Sequence, residues 1–341
     1  MTGPDGSVVR ATAVVCAYTE RRFDDLAAAL ASLDAQTRRP DDVLLVVDHN
    51  PALARRARAQ FPPSVAVVEN AHRQGLSGAR NTALDLVDEF GGDPSQHVIA
   101  FLDDDAVARP DWLARVLAPY ADPAVMAVGG AAAPRWPDGT TSPAVLPAEL
   151  WWVVGCSYPG QVDRGDGDVL AADLVEVRNL MGCAMSFRRA AFDAAGAFTE
   201  DMGRVGTVPL GCEETELCIR LRRAVPGARI VLDPDAVVDH HVSSDRTGWS
   251  YLVRRAGAEG RSKAVLARRW GAADGLSAER SYTRRVLPAA VRRELRSAGR
   301  AARRGEAGAT CERLTAAAAV SVALGAAGWG YARGRVGWDT P

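Results

Sequence analysis

No Cys-x-x-Cys pair occurs among the six cysteines, Cys16, Cys156, Cys183, Cys212, Cys218 and Cys311. Their scatter excludes a zinc ribbon and offers no disulfide framework, so a reduced, cytoplasmic setting is expected. Lysine is nearly absent. Arginine makes up almost all of the 41 basic residues, and with abundant alanine this reflects a GC-rich coding sequence rather than a mechanism. Charge of one sign is missing from the total as well. The 41 basic residues meet 42 acidic ones for a net charge of −1, so the whole molecule is not drawn to nucleic acid and no such partner is expected. The N-terminus lacks a charged start, an apolar stretch and a small-residue cleavage site, so no secretion signal is expected. Neither Gly-x-Gly-x-x-Gly nor Gly-Lys-Ser/Thr is found, which disfavours dinucleotide binding and P-loop chemistry. No internal repeat is detectable.

What is present describes an ordinary globular protein. Its 341 residues, 48% hydrophobic and 24% charged, suffice for one large α/β domain with an appendage, or for two domains. The most informative stretch is Val98-Ile-Ala-Phe-Leu-Asp-Asp-Asp-Ala-Val107. An apolar run about one buried strand long ends in three adjacent carboxylates, an arrangement that holds acidic groups at the rim of a sheet. Along an extended backbone, Asp103 and Asp105 share one face and Asp104 takes the other. Two hard oxygen ligands on one face suit Mg²⁺ or Mn²⁺ together with nucleotide phosphates. A plain acidic turn after a strand is the alternative.

Residues 1–9 read as a loose tail. Strands are expected at Arg10–Cys16, Val43–Val47, Val65–Val68, Val98–Leu102, Ala124–Gly130 and Gly182–Phe187, with short ones at Ile230–Leu232 and Ala236–Val238. Helices are expected over 24–36, where Leu26, Leu30 and Leu33 recur at helical spacing, and at Pro51–Gln60, Thr82–Glu89, Asp111–Tyr120, Arg189–Ala195 and Glu213–Arg223. This alternation predicts a Rossmann-like three-layer α/β/α sandwich with a mostly parallel central sheet over 10–245. The stretch 134–173, rich in Pro, Gly and Trp, reads as a long excursion over one sheet face, carrying Trp151 and Trp152. Residues 246–341 form an Arg-rich helical extension. Its segment 314–331 carries no charge and as a helix would reach roughly 27 Å, just short of a hydrocarbon core. A membrane span, an interfacial helix and a soluble packing helix all remain open for it. The arginines before it favour an anionic, cytoplasmic lipid surface as a partner.

Four polar features fall at expected strand or helix ends: Thr19-Glu20, Asp48, Asp103–Asp105 and Glu213-Glu214. In an open α/β sheet, ligands bind beyond the carboxyl ends of the strands, so the first three line one crevice. Gly75-x-x-Gly78 leads into a helix and could bring backbone N–H groups and Arg80 to phosphate. Each feature also has a plain structural use. Asp48 could be a turn residue, the two glutamates could complement a helix dipole, and His240 could be a polar loop residue.

Taken in order, Val14-Val-Cys-Ala-Tyr-Thr-Glu20, Val46-Val-Asp48, Gly75-Leu-Ser-Gly-Ala-Arg-Asn81, Phe101-Leu-Asp-Asp-Asp105 and Gly211-Cys-Glu-Glu-Thr-Glu-Leu-Cys-Ile-Arg220 resemble the inverting glycosyltransferases of family 2. The likeness covers about 10–245. It implies the A-type glycosyltransferase fold, a nucleotide-sugar donor, most readily a UDP-sugar, and a divalent metal, Mn²⁺ or Mg²⁺. Carried over by position, it implies that Ala17, Thr19, Glu20 and Asp48 contact base and ribose, with Gly78 and Arg80 near the diphosphate. Asp103 would lie at the ribose with Asp104 beside it, and Asp105 and His240 at the metal. The catalytic base would be Glu214 or, less favoured, Glu213, since the family usually has Glu-Asp where this chain has two glutamates. Gly182, Cys183 and Ala184 would line the donor-sugar and acceptor pocket, and Trp152 could stack on a sugar. Arg254-Arg255, 259–264 and 152–155 resemble members that act on lipid-linked or membrane-proximal acceptors. A nucleotidyltransferase and a non-catalytic nucleotide-sugar binding module are the rival readings. The first would need a basic triphosphate-binding loop where Ala17–Glu20 offers acid, although Arg21-Arg22 follow, and the second would have no need of Glu213-Glu214.

Overall fold

The computed structural model describes residues 9–137, 141–161, 174–204 and 210–336. They fall into two compact units, Met1–Ala133 with Ala172–His240, and Pro134–Ala171 with His241–Pro341. The expected tail before Val9 and the end of the expected excursion, 162–173, lie outside the described residues.

In the first unit the apolar runs form β1 (Arg10–Ala17), β2 (Asp42–Val47), β3 (Val65–Glu69) and β4 (His97–Asp103). Between them run α1 (Phe23–Asp34), α2 (Pro51–Gln60) and α3 (Leu76–Glu89). Val14, Val15, Leu44, Leu45, Ile99 and Leu102 are all buried, as continuous apolar strands require when both sheet faces are covered. Leu26, Leu30 and Leu33 turn the inner face of α1 toward that core. Asn50 caps α2 by accepting from Leu53 N, with Pro51 in the first turn where its missing N–H costs nothing.

These strands pair in parallel in the order β3-β2-β1-β4. The chain moves outward from β1 to β3 and then crosses back to β4 on the far side of β1. Right-handed crossovers in opposite directions put helices on opposite faces and open a crevice between the carboxyl ends of β1 and β4. The rest of this unit comprises β5 (Ala106–Ala108), α4 (Trp112–Leu117), β6 (Val125–Arg135), β7 (Val175–Glu176), β8 (Ala184–Arg188), α5 (Arg189–Ala195), α6 (Glu213–Ala224) and β9 (Arg229–His241). The sheet continues β8-β6-β9-β5, with β7 on β9. Here the pairings β4–β8, β6–β8, β5–β9 and β7–β9 are antiparallel, whereas Arg229 N donating to Ala124 O and Val242 N to Arg135 O show β6 and β9 running the same way. Two expected short strands are one, because β9 runs through Pro234, whose fixed φ extended backbone accepts. α3 begins at Leu76, six residues before the expected Thr82, because Gly75 at φ 134° makes the sharp turn into it.

A loop from Phe198 to Arg204 lies along α3. Asn81 exchanges two hydrogen bonds with Phe198, Ser77 Oγ donates to Met202 O, and Leu76 N donates to Arg204 O. His72 ties down the same loop: Nδ1 lies 2.7 Å from Glu200 and Nε2 2.7 Å from Asp85. Both ring nitrogens can donate only in the cation. The bond to Asp85, and then that to Glu200, raise the His72 pKa against the effect of burial. A raised folded-state value stabilises below the ordinary histidine pKa and is lost as pH climbs through the raised value. Calorimetry of His72→Gln should therefore show its largest fall in melting temperature at acid pH, shrinking as pH rises through that window.

In the second unit, a short 3₁₀ segment, Ala148–Val154, carries Trp151 and Trp152 of the expected excursion. The helices are α7 (Trp249–Gly275), interrupted at Gly271, then α8 (Ser277–Ser281), α9 (Leu287–Arg303) and α10 (Ala307–Val336). A π-helical turn, Tyr282–Val286, joins α8 to α9. Glycines set the close α7–α10 contact: a Cβ at Gly260 would collide with Ala327 O, and one at Gly330 with Gly257 O. The 3₁₀ segment is fastened to the helices by Trp152 Nε1 donating to Tyr282 Oη at 2.9 Å and by Arg293 on Glu149 at 2.7 Å.

Candidate functional site

The crevice is built from chain ends brought level by register. Cys16 at the end of β1 stands opposite Asp103 at the end of β4. Asp48 follows β2 directly, its N–H donating to Ala17 O at 2.7 Å. After Asp103 the chain makes a two-residue turn, Asp104-Asp105, into β5. Strand alternation therefore stops at Asp103, and Asp104 and Asp105 do not point to opposite faces as expected. Both meet one guanidinium: Arg22 Nη1 is 2.5 Å from Asp105 Oδ2, and Nη2 is 3.0 Å from Asp104 Oδ1.

His240 arrives by a different route. β5 pairs with β9 so that Ala106 faces His240. This sets His240 Nε2 3.2 Å from Asp105 Oδ1. Asp103, Asp105 and His240 each present a ligand atom, all within 4.8 Å of one another. Two carboxylate oxygens and an imidazole form a donor set that fits a divalent cation such as Mn²⁺ or Mg²⁺.

Beside this cluster lies a buried ion pair. Arg80, on α3 and 1% exposed, places Nη1 2.9 Å from Glu213 Oε1 and donates from Nη2 to Gly182 O at 3.0 Å. Its Nη2 is also 3.7 Å from Asp103 Oδ1. Burial opposes the Arg80 charge, yet Glu213 and Asp103 together raise its pKa. Lost hydration likewise pushes the half-buried Asp103 carboxyl up, with Arg80 pulling it down. Cys183 O accepts from Asp103 N at 3.2 Å, so the residues leading into β8 are tied to the same acid. Ala184, fully buried, then starts β8.

α6 opens abruptly. Cys212 holds φ 75°, a conformation that costs a non-glycine residue energy, and Glu213 and Glu214 follow at once. Glu213 is buried, and among the described residues its Oε2 has no hydrogen-bond partner. Glu214 is less buried and accepts from Thr215 Oγ1 at 3.2 Å.

On the other flank, Asp48 is already engaged. Its Oδ1 accepts from Asn70 at 2.7 Å and lies 2.9 Å from His49 Nδ1, while Oδ2 accepts from Gly75 N at 3.0 Å. Thr19 caps the 3₁₀ turn Glu20–Arg22 by accepting from Arg21 N. Glu20 is exposed and Ala17 buried. Gly78 packs α3 against the preceding loop, since a Cβ there would collide with Arg73 O. Of the expected residues, Asp104, Asp105 and His240 are joined through Arg22 and Asp105, while Asp103, Arg80, Glu213, Gly182 and Cys183 form a second bonded group, and the two meet where the ligand atoms of Asp103, Asp105 and His240 come within 4.8 Å. Asp48, Ala17 and Thr19 frame the site from β1 and β2, and Trp152 belongs to the second unit. Sequence reasoning missed Arg22 and Asn70. Nothing local marks either, although each follows a strand end directly or by one turn.

The description glycosyl transferase family 2 fits residues 12–194, and the chain belongs to that family. Among its relatives, the glucosyl-dolichyl phosphate glucuronosyltransferase of Haloferax volcanii is 32% identical over 261 residues, 76% of this chain and 77% of that one. Among solved structures, the mannosyltransferase PcManGT of Pyrobaculum calidifontis, in complex with GDP-Man and Mn²⁺, matches with a TM-score of 0.58 and 20% identity over 95% of this chain and 88% of its own. That likeness establishes a shared A-type glycosyltransferase fold.

Proposed function

We propose that this chain transfers a sugar, with inversion, from a UDP-sugar donor to a hydroxyl of a lipid-linked acceptor at the cytoplasmic face of a membrane. The observation that carries the reading is the Asp103–Asp105–His240 cluster at the sheet's switch point, joined through Arg80 to Glu213 at the start of α6. Asp105, His240 and Asp103 would hold Mn²⁺ or Mg²⁺. Such an ion supplies positive charge where the diphosphate leaving group becomes more negative. Ala17, Thr19, Glu20 and Asp48 meet base and ribose, and Arg80 fixes the floor beneath the diphosphate. Glu214 takes the proton of the acceptor hydroxyl as its oxygen attacks the anomeric carbon from the face opposite the diphosphate. Gly182–Ala184 border the transferred sugar.

The lipid-linked acceptor rests on the Haloferax relative, which is named for a glucosyl-dolichyl phosphate. It also rests on α10, whose 30 residues make it long and apolar enough to cross a membrane. Trp329, Leu324 and Val322 on that helix are exposed, and Arg292, Arg296, Arg300 and Arg303 are exposed on α9. Apolar and basic side chains together suit an anionic lipid surface.

Incubation with Mn²⁺, polyprenyl-phosphate-sugar acceptors and a panel of UDP- and GDP-sugars tests the reading. Nucleoside diphosphate release with an inverted anomeric product is the expected result. Pyrophosphate release would instead indicate a nucleotidyltransferase, and binding without turnover a recognition module. Membrane fractions washed with high salt and then with detergent separate electrostatic attachment from insertion.

A further inference from the structure

We propose that Arg22 is a positioning residue for the metal site, one that turns Asp105 into a single-oxygen ligand and gives Asp104 its purpose. The inference rests on the reading of Asp103, Asp105 and His240 as metal ligands. The two oxygens of Asp105 have different neighbours: Oδ1 faces His240 Nε2 at 3.2 Å, and Oδ2 is held by Arg22 Nη1 at 2.5 Å. A carboxylate clamped at one oxygen by a charged donor cannot rotate to offer both oxygens to an ion. It presents Oδ1 in a fixed direction, as partners of metal ligands commonly arrange.

The other arm of the same guanidinium reaches Asp104 Oδ1 at 3.0 Å. Asp104 and Asp105 are each 4% exposed, and two such carboxylates side by side repel unless a cation stands between them. Arg22 is held for this task from behind. It closes the 3₁₀ turn capped by Thr19, and its guanidinium lies 5.1 Å from the centre of the Tyr18 ring. A planar fork holds both acids in fixed directions, whereas an ammonium is a rotatable point charge that orients neither so firmly. Arg22 offsets one charge of the three adjacent aspartates, shared between Asp104 and Asp105, so a net negative charge remains to attract a divalent ion.

Mn²⁺ titrated into the full chain, followed by electron paramagnetic resonance of the free ion, tests this without turnover. Arg22→Met should weaken Mn²⁺ binding about 10- to 100-fold, the range typical of lost partners to metal ligands. Arg22→Lys should recover part of that loss, and Asp104→Asn should cost less than Arg22→Met. Circular dichroism melts run alongside; if Arg22→Met does not fold, Arg22→Lys with a native melt carries the decision, and weaker binding by it supports the role. Unchanged or tighter Mn²⁺ binding by the folded Arg22 variants would overturn the role of Arg22 and leave the metal site standing. No Mn²⁺ binding by the unsubstituted chain would overturn the metal site and this proposal with it.

Discussion

Asp105→Ala is expected to lower sugar transfer by about 10³-fold or more, with saturating Mn²⁺ failing to restore it. The substitution removes one of three ligand atoms that lie within 4.8 Å of one another. It also strips Arg22 of its 2.5 Å partner and His240 of its 3.2 Å one, so the remaining donors lose their arrangement as well as their number. Metal-assisted charge stabilisation is worth several kcal/mol, and each 1.36 kcal/mol is a factor of ten in rate, which gives the ~10³ figure. Asp105→Asn keeps the shape and one ligand oxygen but not the charge, and should fall between the two. Steady-state release of nucleoside diphosphate, with melting curves as a folding control, reads both. Near-native rates for Asp105→Ala at saturating donor would remove Asp105 from the metal site.

Glu214→Gln and Glu213→Gln should both silence the chain, by different routes. Loss of a general base costs about 10²- to 10⁴-fold in kcat, and Glu214→Gln is expected in that range with its melting temperature nearly unchanged. Glu213 is different. Its Oε1 is bound to Arg80 at 2.9 Å, and its Oε2 faces Gly203, where an added Cβ would stand 3.2 Å away. A carboxylate so committed serves better to hold Arg80 than to meet an acceptor. Breaking a buried pair from one side strands the other charge, here a guanidinium 1% exposed, and typically costs about 3–5 kcal/mol. Glu213→Gln should therefore lower the melting temperature clearly, and its loss of rate should follow from the displaced Arg80. The opposite pattern, with Glu214→Gln fully active and Glu213→Gln dead at a native melting temperature, would transfer the role of base to Glu213.

The acids of this site announce themselves because each ends a strand or opens a helix. Val98–Leu102 had to be buried, so the charges that follow it had to surface at a sheet edge; Asp48 after β2 obeys the same logic. The glutamates after Cys212 are legible for a similar reason, since a helix start accepts negative charge. Other features left no such trace. Nothing near Arg22 says that it spans Asp104 and Asp105, 83 residues away from the latter. The antiparallel pairings of β8 with β4 and β6 have no local signature either, because a buried strand reads alike whichever way its neighbour runs. Two short strands are expected where the extended backbone of β9 in fact runs unbroken through Pro234.

From its residues alone, this chain declares its family, the order of its first strands and helices, and the acids at their ends. Those are consequences of side-chain period and hydration, which act within a few residues. Folding added the distances: His240 beside Asp105 through the β5–β9 register, Arg80 between Glu213 and Gly182 O, and the division of the two oxygens of Asp105 between Arg22 and His240. Each of these joins parts of the chain that share no local pattern. Such contacts are set by which surfaces pack and which buried charges must be balanced, and that balance exists only once the chain has closed on itself.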